Sequence, residues 1–482
     1  MVQEKAMPSE ETLDPEDWES MRALGHRMVD DMLDDMKTIR ERPVWQPTPD
    51  QVKAHFKRPV PLDPQPLEEI YEEFLENVLP YRRGNIHPRF WAWVVGTGTP
   101  LGVLAELLAA SVNSANSRVE KQVIDWFKEV LGFPASASGL LTSGCSAANL
   151  IGLAVARNTK AGFDVRREGI QATPHKMVLY ASQEIHMSIQ KAVELLGLGS
   201  DALRLVPVND DFQVDLEALK ATIAQDRQDG HLPFCVVGAA GTTNTGAIDD
   251  LSALADVCLQ ENLWFHVDGA FGAWAALTPG ARNQVAGMER ADSLAFDLHK
   301  WMYMPKEIGC VLVRREEEHR KAFSLTPAYL ARGEGGRGMT GGGLRNYGFQ
   351  LSRGFRALKA WMSLKEHGIR KYGRLIQQNI DQARYLAELI DAAPELELAA
   401  PVTLNVVCFR YLRPGLGDAA LNALNKEILV ELQEQGIVVP SGTTIRGKYV
   451  LRVGHTNHRS RREDFDILVC EVIRIGKALS LS

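Results

Sequence analysis

The stretch WFHVDGAFGAWAALTPGARNQVAGMERADSLAFDLHKW, residues 264–301, decides the fold of this 482-residue chain. Trp264, Phe265 and Val267 form an apolar run that ends on Asp268. After a turn of small residues, Leu294, Ala295 and Phe296 form a second run that delivers His299 and Lys300. Short apolar runs bounded by turns read as buried strands. In α/β sheets ligands sit beyond the carboxyl ends of strands, so this layout brings a carboxylate and an amine to neighbouring strand ends. Taken singly, an Asp at a turn and a Lys beside a strand are ordinary solvated residues. Their surroundings argue for more. Only Gly269 and Ala270 follow the acid, which leaves room for a flat ring, and the His299-Lys300 pair stands between an apolar run and Trp301, where a bare charge is costly.

Working outward, the runs at 177–181, 203–208, 234–239 and 309–313 alternate with helical segments from about Pro134 onward. That alternation predicts an α/β fold, a mostly parallel sheet with helices on both faces. Upstream, residues 14–42 read as an amphipathic helix capped by Asp14, with Trp18, Met21, Leu24, Met28, Met32 and Met36 along one stripe. A second helix is expected from about Leu67 to Leu79, and two more between Leu101 and Leu131. A long helix carries Ala357, Leu358, Trp361 and Leu364. From about Pro394, LNVVCFRY, a helix near 421–435, GIVVP, YVLRVG and a last helix predict a compact α+β domain. The expected division is therefore 1–95, a helical N-terminal segment; 96–394, the large α/β domain; and 395–482, the small domain.

Composition narrows the class of function. The net charge of −7 offers no basic field for nucleic acid or an anionic membrane. No apolar run approaches the ~18 residues of a membrane span. The acidic, polar N-terminus lacks a secretory pattern, so a cytoplasmic protein is expected. Six cysteines with no two closer than 23 positions exclude CxxC metal or redox motifs and suit reduced thiols.

A lysine and an acid so placed suit pyridoxal phosphate. That cofactor needs an amine for a Schiff base with its aldehyde and a carboxylate to keep its pyridine nitrogen protonated. Its phosphate needs a turn opening a helix, where free N–H groups and the helix dipole favour an anion. LLTSGCSAANLIGLAVAR (140–157) has that form, although by itself it could be an ordinary helix cap.

HVDGAFG followed 32 positions later, from Asp268 to Lys300, by LHKW resembles the group II pyridoxal-phosphate-dependent amino-acid decarboxylases, over nearly the whole chain from about Asp14. The resemblance implies the type I fold of such enzymes and a homodimer whose active site lies near the subunit interface, with the N-terminal helices packing on the partner. The substrate it implies is an L-amino acid, aromatic by preference. Lys300 is then the Schiff-base lysine and Asp268 the pyridine partner. Cys145 and Ser146 contact the phosphate, His186 stacks on the ring, and Thr243, Ala270 and His299 lie around it. Trp93 and Val94, in HPRFWAWVVGTGTP, line the substrate pocket. Asp297 falls where a phosphate ligand would stand, and a carboxylate there is unfavourable.

Tyr329 precedes seven glycines within 14 residues, Gly333 to Gly343, which read as a mobile lid or a flexible linker. By resemblance the tyrosine returns a proton to Cα after carbon dioxide leaves, whereas phenylalanine accompanies aldehyde-forming members. After Val112 the chain is shorter than the animal aromatic decarboxylases by roughly nine residues. The missing stretch supplies aromatic contacts across their dimer.

Oxidative aldehyde formation, carbon–carbon cleavage and transamination are alternatives on the same cofactor. A nicotinamide dehydrogenase finds support only in GTGTPLG (96–102), whose glycine spacing is GxGxxxG. An inactive scaffold predicts loss of Lys300, Asp268 or Tyr329, and all three are present.

Overall fold

The structure is a computed structural model that describes residues 11–325 and 343–479, so Tyr329 lies outside the described residues. The chain divides into two compact units, Met1–Pro43 with Pro47–Arg82, and Val44–Gln46 with Arg83–Ser482. In the first, a helix runs Trp18–Lys37. Its N-cap is Asp17, not Asp14: the Asp17 carboxylate accepts the amide hydrogens of Glu19 and Ser20, at 2.9 and 3.1 Å. Asp14 stands one turn too early to reach them. A second helix, Leu67–Asn77, is tied to the first where Tyr71 donates to Asp31 (2.8 Å) and Arg27 pairs with Glu72 (2.5 Å).

The second unit holds two sheets. The larger contains β1 (Ser138–Thr142), β2 (Met177–Ser182), β3 (Leu203–Val206), β4 (Leu232–Ala239), β5 (Trp264–Asp268), β6 (Ser293–Asp297) and β7 (Gly309–Val313), in the order β1-β7-β6-β5-β4-β2-β3. From β3 to β6 every pairing is parallel, and β7 runs antiparallel to both β6 and β1. Every residue of β5, β6 and β7 is buried. Helices cover both faces, which is why these strands read as continuous apolar runs without alternation.

A four-stranded antiparallel sheet forms from β8 (Leu396–Leu398), β9 (Val406–Tyr411), β10 (Ser441–Ile445) and β11 (Lys448–Gly454), in the order β10-β11-β9-β8. GIVVP is not a strand. Val439 makes an isolated bridge to Phe90, and the strand begins at Ser441, after Pro440, which has no amide hydrogen to give a ladder. The long helix expected around Trp361 is two, Arg356–His367 and Ile369–Ala392, separated by Gly368 at φ +69°.

The packing that matters to the strand ends is aromatic. Phe127, Trp274 and Phe296 meet edge to face with centroids 5.1 to 5.7 Å apart. The Trp274 indole donates to the carbonyl of Asp297 (2.8 Å) and so pins the last residue of β6. Truncating such a buried aromatic costs about 3–5 kcal/mol.

Candidate active site

Asp268 is the last residue of β5 and Asp297 the last of β6, with Lys300 three residues further on. Sheet order alone therefore places the acid and the lysine at adjacent strand ends. The Asp268 carboxylate is buried, and both its oxygens accept hydrogen bonds. Oδ1 accepts from the Ala270 amide (3.1 Å) and the Cys145 thiol (3.4 Å), and Oδ2 from Asn149 Nδ2 (3.0 Å). Burial, then the neighbouring Asp268, pushes the Cys145 thiol well above its usual range, so it stands there as a neutral donor.

Lys300 Nζ lies 3.1 Å from Asp297 Oδ2, and its side chain is 18% exposed. Burial lowers the lysine pKa, but Asp297 and Asp268 outweigh it and hold the ammonium above its ordinary value. Asp297 Oδ1 accepts the amide hydrogen of Cys145 at 2.6 Å. That amide opens the helix Cys145–Lys160, whose N-cap, Gly144, has no side chain to cap it. The helix N-terminus thus presents uncapped N–H groups to an anion, and a carboxylate from β6 sits against the first of them.

His186 precedes the helix Met187–Leu195 and caps it. Its Nδ1 lies 3.2 Å from the Ser188 amide and 2.8 Å from Ser188 Oγ. A nitrogen that accepts a backbone N–H carries no proton, so the proton of neutral His186 is on Nε2. Burial lowers the His186 pKa, against the pull of nearby Asp268, and the ring stands neutral at neutral pH. His299 Nδ1 faces the carbonyl of Ile308 (2.8 Å).

His186 also lines a cavity of about 550 Å3, shared with Trp93, Glu184, Thr243, Asn244 and Arg452. Asn244 donates to Glu184 (3.0 Å), and Arg452 gives its donors to the carbonyls of Thr243, Asn244 and Ala92 and to Ser441 Oγ. Trp93 is 45% exposed, with Arg83 over its ring. Val94, by contrast, is buried in the main core and does not line this cavity. Ser146 is exposed beside the helix N-terminus.

Asp249, one residue before the cap of the helix Leu251–Gln260, is not itself the cap. Its carboxylate takes the amide hydrogens of Val214 and Ala239 (both 2.8 Å), burial pushes it up to about 6, and Asp250 is the cap. GTGTP is not a dinucleotide turn either. A Cβ on Gly96 would stand 2.3 Å from the carbonyl oxygen of Lys300 and 2.6 Å from that of His299, and the Gly96 amide donates to the latter (2.9 Å). The glycine allows this segment to lie on the lysine's backbone.

Four residues went unread in the sequence: Asn149, Ser188, His266 and Ser293. The signal for Asn149 and His266 was a polar residue inside an otherwise apolar buried run, whereas Ser188 and Ser293 open a helix and a strand and carried none. Chemically the site offers an amine, a buried carboxylate between small residues, a neutral imidazole and a helix N-terminus. This donor set fits pyridoxal phosphate, whose aldehyde, pyridine nitrogen and phosphate call for the first, second and last of these.

The comparisons agree with that fit. The conserved domain of pyridoxal-dependent decarboxylases matches residues 49–412, and the chain belongs to this family of pyridoxal-phosphate-dependent decarboxylases. It is 33% identical over 478 residues to an aromatic-L-amino-acid decarboxylase of Bacillus atrophaeus, covering 96% of this chain and 97% of that protein. It is 28% identical to a phenylacetaldehyde synthase of Petunia hybrida, covering 91% of this chain and 90% of that protein. In fold it is similar to the crystal structure of Oryza sativa TDC with PLP and tryptamine, with a TM-score of 0.88 at 24% identity, covering 97% of this chain and 100% of that one. The enzyme is thus a pyridoxal-phosphate-dependent amino-acid decarboxylase of fold type I.

Proposed function

We propose that the enzyme converts a neutral aromatic L-amino acid to its amine and carbon dioxide. The observation that carries this reading is the cavity at His186. Trp93 gives it an aromatic wall, and among its described lining residues the one cation, Arg452, is already committed to carbonyls. An acidic side chain would find no charge partner there, whereas a flat apolar one can be desolvated at little cost. The aromatic decarboxylase relatives favour the same class.

Bound pyridoxal phosphate supplies the electron sink that lets the Cα–carboxylate bond break. The chain's own residues do the rest in this reading. Lys300 Nζ would be the amine that holds the cofactor's aldehyde. Asp268, fixed by Ala270 and Asn149, keeps the pyridine nitrogen protonated. His186 offers its Nε2 hydrogen to the substrate carboxylate, and the amides of Cys145, now held by Asp297, and Ser146 would receive the phosphate. Tyr329 returns a proton to Cα, which makes amine, and not aldehyde, the product.

We further infer a homodimer. Val103, Leu107, Leu108 and Val112 stand 38 to 58% exposed along the helix Pro100–Val112, an apolar face that a second subunit would cover. The absence of disulfides among the six cysteines favours a reducing compartment, the cytoplasm. No described helix is long and apolar enough to cross a membrane.

The test is to supply the yellow holoenzyme with pooled amino acids while carbon dioxide and amines are assayed. Release of both, traced to phenylalanine, tyrosine, tryptophan or a hydroxylated relative, is expected. Release from glutamate or aspartate would overturn the substrate class. Lys300→Ala should lose the visible band on dialysis and at least about 10^3-fold in rate.

A further inference from the structure

Beneath the site runs a line of buried polar side chains, three of which, Trp264, Ser293 and His266, no step above uses. The Trp264 indole donates to Ser293 Oγ (2.8 Å), Ser293 Oγ lies 2.7 Å from His266 Nδ1, and His266 Nε2 lies 2.9 Å from Asn149 Oδ1. Asn149 Nδ2 then donates to two groups, Asp268 Oδ2 at 3.0 Å and Ser188 Oγ at 3.1 Å. Ser188 Oγ in turn meets His186 Nδ1. Trp264, Ser293, His266 and Asn149 are all 0% exposed.

The direction of every bond follows from chemistry. A carboxylate only accepts, so the amide atom facing Asp268 is Nδ2, and Oδ1 must face His266. Oδ1 only accepts, so His266 carries a proton on Nε2. Burial pushes the His266 pKa down to about 4, so the neutral ring has no second proton, and Nδ1 accepts from the Ser293 hydroxyl. That hydroxyl oxygen is free to accept from Trp264. On the other branch, Ser188 accepts from Asn149 and donates to His186. The sequence of donors is thus Trp264 to Ser293 to His266 to Asn149, forking to Asp268 and, through Ser188, to His186.

The fold makes room for this line at a cost. A Cβ on Gly152, in the middle of the helix Cys145–Lys160, would stand 2.7 Å from His266 Cε1 and 2.9 Å from Nδ1. A glycine in a helix interior costs about 0.5–1 kcal/mol against alanine, and here it houses the imidazole. Leucine at 149 and 266 would fill the same core without needing partners.

We propose that Asn149 is a positioning residue. One amide couples the carboxylate assigned to the pyridine nitrogen to the imidazole assigned to the ring face, and His266 holds that amide in a single orientation. The inference rests on the assignment of Asp268 and His186 to the cofactor. Without the amide, Asp268 keeps its charge but loses its fixed direction, and Ser188 is free to turn away from His186.

The test uses the full-length protein loaded with 15N-labelled pyridoxal phosphate, in Asn149→Ala, His266→Phe and His266→Gln forms. The readouts are the 15N shift of the pyridine nitrogen across pH and the dissociation constant of the cofactor. Asn149→Ala is expected to bind the cofactor about tenfold more weakly and to lose the pyridine proton at lower pH, as removal of one charged hydrogen bond implies. His266→Phe, which touches no part of the cofactor, should reproduce the pH shift by letting the amide flip. His266→Gln, whose amide donates where Nε2 did, should restore it. A generic packing defect would not distinguish Phe from Gln in this way. If Asn149→Ala does not fold, the two His266 variants carry the test unaided. An unshifted pyridine nitrogen in the variants that fold would overturn the proposal. A parent enzyme whose pyridine nitrogen is unprotonated would instead remove the underlying assignment of Asp268.

Discussion

Lys300 and Asp297 form an ion pair, Nζ to Oδ2 at 3.1 Å, on the same carboxylate that caps the amide of Cys145. Asp297 therefore competes for two things the cofactor needs, an uncharged lysine and an open helix N-terminus.

Replacing Asp297 with Asn keeps the shape and removes the charge. The phosphate would then meet no carboxylate, and binding should tighten by about tenfold, the scale of a charge at a partly buried helix terminus. The Lys300 pKa, now held up by Asp297, should fall, so imine formation should begin at lower pH. Fluorescence titration with pyridoxal phosphate between pH 6 and 9 reads both. Weaker binding in the Asn variant would show that the carboxylate helps to hold the cofactor.

Gly96 bears on the same lysine from outside. In Gly96→Ala the new methyl cannot occupy its place 2.3 Å from the Lys300 carbonyl oxygen, so one backbone segment must move. A cost of about 1–3 kcal/mol is expected, with faster loss of cofactor on dialysis. Urea melts of the apo form and visible spectra of the dialysed holo form separate the two effects.

Tyr329 governs what is made. Tyr329→Phe should leave cofactor binding unchanged and divert product from amine toward aldehyde and hydrogen peroxide. Chromatography of products together with a peroxidase-coupled assay measures the ratio. Unchanged amine yield would show that the proton comes from another residue.

Acid should unfold the protein through its buried histidines. His266 and His319 are held near pKa 4 and His455 near 3 by burial, against about 6.5 in an unfolded chain. As pH falls below about 6.5 the unfolded state takes up these protons first, so stability declines by up to about 1.4 kcal/mol per pH unit for each group. Above pH 7 they add no slope. Urea midpoints at pH 7.5 and 5 check the trend, and His319→Gln should flatten it.

The inner strands of the large sheet were legible in the sequence because burial on both faces forces an unbroken apolar run, and β2 and β4 to β7 all announce themselves in this way. The pair Asp268 and Lys300 was legible because the first ends one such run and the second follows another by three residues. β10 was not: SGTTI has small polar residues at a half-exposed edge, where no apolar pattern is required. Asn149, His266 and Ser293 could not be linked either, since they sit 117, 27 and more positions apart and only the register of β5 on β6 and the helix laid across them make them neighbours.

What the sequence determined by itself was the class of fold, the family and the residue types that could hold a cofactor, because these follow from local periodicity and from motifs whose members lie close along the chain. The tertiary structure alone decided how those residues are wired. It set Asp297 on the helix N-terminus, Gly96 on the lysine's backbone, and a buried amide between Asp268 and His186. Hydrogen bonds act over about 3 Å of space whatever the separation in sequence, so their partners exist only once the sheet has been ordered and its helices packed.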